Sequence, residues 1–80
     1  MKKEKLVNKI VDVCIDLKIV KYSNYRKEVK NNIMMFMGDV TFIESLYNTI
    51  FVKAKQRNIL HTKKIKNLLM ELEKTRLELE

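Results

Sequence analysis

Apolar residues recur at three- and four-residue spacing in four separate blocks of this chain, and nothing in the chain interrupts the blocks with strand-like alternation. That spacing places one apolar stripe along each of four helices. The first block runs from about Lys3 to Lys18, with Leu6, Ile10, Val13, Cys14 and Leu17 on the stripe and Val7 and Val11 widening it. A second block starts near Ser23 or Asn24, either of which suits a helix N-cap, and carries Tyr25, Val29, Ile33, Phe36 and Met37. Gly38 follows, where a left-handed C-terminal cap is expected. The third block opens on Thr41 and Glu44, which have capping-box spacing, with Asp39 also favouring a helix start. Its stripe is Ile43, Leu46, Tyr47, Ile50 and Ala54, flanked by Phe42 and Phe51, and Asn58 suits a left-handed end. The fourth block is capped by Thr62 and carries Ile65, Leu68, Leu69 and Leu72, with Leu79 extending the face and the acidic end expected to fray.

The chain has no proline and one glycine in 80 residues. That excludes a sheet protein built on Gly- and Pro-rich turns and leaves room for one small domain. Helices of about 14 to 18 residues span roughly 21 to 27 Å, and short links make sequential neighbours antiparallel. The predicted fold is all-α: one domain over residues 1–80, an antiparallel up-down-up-down four-helix bundle.

The charge is uneven. Between Ser45 and Met70 stand Lys53, Lys55, Arg57, Lys63, Lys64 and Lys66, with no Asp or Glu among them. This window accounts for six of the net +7 charges, and the rest of the chain is close to neutral. The basic residues flank Asn58-Ile59-Leu60-His61-Thr62, the expected turn between helices three and four. Cations in the last turn of helix three complement its dipole, whereas Lys63, Lys64 and Lys66 in the first turn of helix four oppose theirs. A local cost without a folding gain marks a partner-facing surface.

Other functional classes have little to stand on. One cysteine cannot form an internal disulfide, and no Cys/His cluster proposes a metal site. Cys14 lies on an apolar stripe and reads as a small core residue. His61 has no orienting acid in the pattern and reads as a turn residue. Asp12 and Asp16, one helical turn apart, read as a solvated face with Asp12 in reach of Lys9. A single glycine provides no phosphate-cradling loop. No uncharged stretch is longer than Asn31–Gly38, far short of a bilayer span, and acids and lysines break up the basic start as a signal peptide. These features predict a cytoplasmic binding protein with no cofactor, no small-molecule substrate and no catalytic residues.

At the hairpin, the stretch Phe42-Ile43-Glu44-Ser45-Leu46-Tyr47-Asn48-Thr49-Ile50, then Ala54, Asn58-Ile59, Thr62 and Leu68 to Leu72, resembles the third and fourth helices of the immunity proteins of pediocin-like (class IIa) bacteriocins. Asn48, Ala54 and Thr62 are the more discriminating matches. Before it, the agreement is one of pattern: a lysine-rich start, an amphipathic helix, a Lys21-Tyr22-Ser23 turn and a second helix. The link Gly38-Asp39-Val40 is shorter than is usual there, and no tail follows helix four, so the resemblance carries the helices over and not the choice of bacteriocin.

The resemblance implies a cytosolic four-helix bundle that protects a bacteriocin producer. It implies a partner as well: the membrane-embedded sugar permease of the mannose phosphotransferase system, blocked from inside once the bacteriocin has engaged it. A basic corner suits that setting, facing the anionic inner leaflet or an acidic cytoplasmic loop. Charge and location, not the family motif, pick out Lys53, Lys55, Arg57, His61, Lys63, Lys64 and Lys66 as partner-binding residues. The competing reading is a small basic nucleic-acid-binding regulator from a plasmid or phage, disfavoured by scarce arginine and the lack of base-reading residues. A third is an adaptor that completes a partner's bundle through the Met-rich end of helix two, Ile33-Met34-Met35-Phe36-Met37.

Overall fold

A computed structural model describes residues 2–19 and 26–80. The described residues form four helices: α1 (Lys2–Asp16), α2 (Arg26–Phe36), α3 (Val40–Gln56) and α4 (Lys63–Leu79). They pack as an all-α bundle. Cross-helix ion pairs give the directions. Arg26 pairs with Asp12 and Lys30 with Glu4, so α2 runs antiparallel to α1. Lys64 pairs with Asp16 and Lys9 with Glu71, so α4 also runs antiparallel to α1. Arg76 approaches Glu44 at 3.9 Å, which sets α3 against α4 in the same sense.

Helix α1 packs against both α2 and α4, so it buries a broad face. Val7 and Val11 are as deeply buried as Ile10, while Leu6 sits at the edge, half-buried. Of the expected stripe only Leu6 falls short of full burial, and Val7 and Val11 join the core because two neighbouring helices cover a broad face. Ile33 and Met37 come from α2 and its end, Ile43, Ile50 and Ala54 from α3, and Ile65, Leu68, Leu69 and Leu72 from α4. No polar or charged residue is buried among the described residues, so nothing polar in the core needs a compensating partner.

Helix ends differ from expectation in instructive ways. Gly38 does not take the left-handed conformation; Lys18 and Asn58 do, with φ of 57° and 58°. At both places the chain closes a Schellman motif. Ile19 N–H donates to the Cys14 carbonyl at 2.9 Å and Lys18 N–H to the Ile15 carbonyl at 3.0 Å. Ile59 N–H donates to the Ala54 carbonyl at 3.0 Å and Asn58 N–H to the Lys55 carbonyl at 3.1 Å. Asp39 caps α3, its carboxylate accepting from Thr41 N–H at 2.9 Å, so Thr41 and Glu44 do not make the expected capping box. A carboxylate is the stronger acceptor at a positive helix end.

Thr62 occupies the N-cap of α4 but makes no side-chain cap; its hydroxyl donates back to the Ile59 carbonyl at 2.7 Å. Helix α4 runs to Leu79, which is exposed and does not extend the buried face. Phe36 also leaves its expected stripe: it is 47% exposed and packs on Phe42 with ring centroids 5.5 Å apart. Asp12 binds Arg26 instead of Lys9, because Lys9 is taken by Glu71 across the helix pair. The Ser23 or Asn24 cap and Tyr25 lie outside the described residues.

Candidate partner-binding surface

The α3–α4 turn is held from inside. Ile59 and Leu60 are half-buried against the core, Asn58 closes α3, and Thr62 N–H and hydroxyl both donate to the Ile59 carbonyl. Two apolar residues turned inward force the residues around them outward. Lys53, Lys55, Arg57, His61, Lys63, Lys64 and Lys66 are all exposed. The fold therefore gathers every one of these sequence-predicted residues at one pole of the bundle.

Their local settings separate them. Lys55, His61 and Lys66 line one shallow depression of about 500 Å³ together with Asn58 and Leu60. Lys53, Arg57 and Lys63 lie outside it. Lys64 is turned to Asp16, donating to its carboxylate at 2.8 Å. Of the six cations in the window, Lys64 is thus the one with a carboxylate partner among the described residues. The other five have no carboxylate neighbour competing with an external anion.

Two neighbours were not legible from the hairpin. Asp16 partly neutralises the patch, and Lys18 enlarges it: Lys18 is exposed at the end of α1, which antiparallel packing puts at the same pole as the hairpin. Both stand far from the hairpin in sequence, and no local pattern couples them to it.

This surface suits electrostatic recognition. Several exposed cations on one rigid pole create a field that steers an anionic partner and weakens with salt. Elsewhere the groups of possible chemical interest are occupied or isolated. Burial in the apolar core pushes the Cys14 thiol up to about 11, which keeps it protonated and unreactive. Among the described residues no cluster of His, Cys, Asp and Glu is placed to hold a metal ion. Nor is any described helix long and apolar enough to cross a membrane. Comparison of the chain with protein-family models, with curated proteins and with solved structures returns no match to any of the three.

Proposed function

We propose that this chain is an immunity protein that protects a producing cell from a pediocin-like bacteriocin, acting from the cytosol on the membrane receptor the bacteriocin has engaged. The observation that carries the reading is the exposed cationic pole at the α3–α4 turn, on the stretch whose sequence resembles that family. Five of its cations have no carboxylate partner among the described residues. The cytoplasmic leaflet is anionic, and each lysine held near it contributes about 1 kcal/mol of attraction. A pole with several unpaired cations would hold the bundle against that surface, hairpin first, beside the sugar permease of the mannose phosphotransferase system.

The role is one of binding, with the seven hairpin residues as contacts and no catalytic step. Expression in a strain sensitive to pediocin-like bacteriocins tests it. Survival against at least one member of a panel is the expected result, and the combined Lys55→Glu, Lys63→Glu and Lys66→Glu variant should lose protection while its far-ultraviolet circular dichroism is unchanged. Killing that is the same with and without the protein across the panel would overturn the reading. A salt-sensitive shift of duplex DNA by the same protein would then favour the nucleic-acid-binding alternative.

A further inference from the structure

Lys9 and Glu71 join α1 to α4 at 3.0 Å. On the side of that pair away from the cationic hairpin, a groove of about 680 Å³ opens between the first turns of α1 and the last turns of α4. Leu6, Met37 and Leu79 give it an apolar strip, which the aliphatic stems of the lining lysines widen. Lys3, Lys5 and Lys74 also line it, and none of the three has a carboxylate partner among the described residues. Of the two acids present, Glu71 is held by Lys9, which leaves Glu78 against three free ammonium groups.

Gly38, which lies in the same lining, adds an independent observation. It is the only glycine in the chain. Its φ is not in the left-handed region, and a Cβ built on it meets nothing within 4 Å. Backbone conformation and local packing therefore do not demand glycine there. The missing side chain leaves open the space where the groove meets the α2–α3 link.

We propose that this groove docks an amphipathic helix of another protein, with the apolar face of that helix on Leu6, Met37 and Leu79 and its carboxylates on Lys3, Lys5 and Lys74. Three separated ammonium groups call for several anions, and a single alkyl carboxylate offers one. A second copy of this chain carries the same net charge of +7 and is repelled at long range. An acidic amphipathic helix meets both demands, and helix-in-groove recognition needs no rearrangement of the bundle. The site lies at the pole opposite the hairpin and does not depend on the bacteriocin reading.

Fluorescence anisotropy with the full chain tests the proposal. The probe is a labelled helical peptide of about 18 residues, with leucines at three- and four-residue spacing flanked by glutamates; the control has lysines in place of the glutamates. The glutamate peptide should bind at least about tenfold more tightly, and the preference should shrink with salt. Gly38→Leu, which fills the open space, should weaken binding about tenfold. The pair Lys5→Glu and Lys74→Glu should do the same by charge alone, so the test survives if Gly38→Leu misfolds. Lys63→Glu with Lys66→Glu at the far pole should leave binding unchanged.

No saturable binding of the glutamate peptide would overturn the proposal, as would equal binding of both peptides. Complete competition by one dodecanoate per chain would assign the groove to an alkyl carboxylate instead. A dimer in sedimentation that Gly38→Leu dissociates would assign it to a second copy.

Discussion

The Lys64 ammonium meets the Asp16 carboxylate at 2.8 Å, bridging 48 positions of sequence. Each residue alone sits at the wrong end of its helix: a cation in the first turn of α4 and an anion at the end of α1. Antiparallel packing brings the two unfavourable ends together, and each charge answers the other. Lys64 is therefore explained by folding, whereas Lys63 and Lys66 keep no such explanation. Both side chains of the pair are more than half exposed, so solvent screens the attraction. A double-mutant cycle with Lys64→Ala and Asp16→Ala, read by urea denaturation, should give a coupling of about 0.2–1 kcal/mol that shrinks in molar salt.

Backbone conformation makes a paired prediction. Lys18 holds φ of 57°, where a Cβ is disfavoured, while Gly38 is outside that region with room for a Cβ. Lys18→Gly should raise stability by up to about 1 kcal/mol, and Gly38→Ala by about 0.4–1 kcal/mol through a less flexible unfolded chain. Asn58→Ala, at the second left-handed position, should lower it. Thermal unfolding of the three variants checks all of these.

Cys14 predicts a pH dependence. Burial raises its thiol from 9.0 in the ordinary state to about 11 in the fold. A raised value in the folded state means that the folded chain holds its proton where the unfolded chain has released it. The contribution is fully present below 9 and is lost as pH rises through 9 to about 11. Within that window stability should fall by up to about 1.4 kcal/mol per pH unit. Cys14→Ala should remove this slope, so the difference between parent and variant isolates the thiol. Reaction with a disulfide reagent at neutral pH should require unfolding.

Arg76 holds the end of α4. Its guanidinium binds Glu73 and Glu80 on its own helix and approaches Glu44 on α3. The hydrogen bond from Arg76 holds the Glu73 carboxyl below its ordinary value. A depressed carboxyl contributes above the ordinary range and loses that contribution as pH falls through the depressed value. Hydrogen-exchange protection factors, taken relative to the intrinsic exchange rate at each pH, should therefore fall in the last turns of α4 on acidification. Arg76→Ala should produce the same local loss near neutral pH, while protection around Leu68 and Leu69 stays unchanged.

Much of the fold was legible because helix packing follows local periodicity. Ile10, Val13, Cys14, Leu17, Ile43, Ile50, Ala54, Ile65, Leu68 and Leu72 are buried as the spacing predicts. Phe36 was misplaced, since its helix ends with it and its ring turns to Phe42 across the link. The α3 cap is Asp39 and not Thr41, because the helix begins two residues earlier and the Asp39 carboxylate takes the Thr41 and Phe42 amides, which puts Thr41 inside the first turn. On the surface, the seven hairpin residues were visible as an acid-free run. Lys18 and Asp16 were not, because only the packing of α1 against α4 brings them to that pole.

What the chain alone determined, then, is four amphipathic helices and a cationic hairpin between the last two. Both follow from interactions within one helix or one turn, at separations of a few residues. Tertiary structure decided which cations stay free, which helices pack side by side, and where a groove is left open. Those outcomes depend on contacts across α1 and α4, such as Lys64 with Asp16 and Lys9 with Glu71. Such pairs form only after packing has set the distance between residues that no local pattern relates.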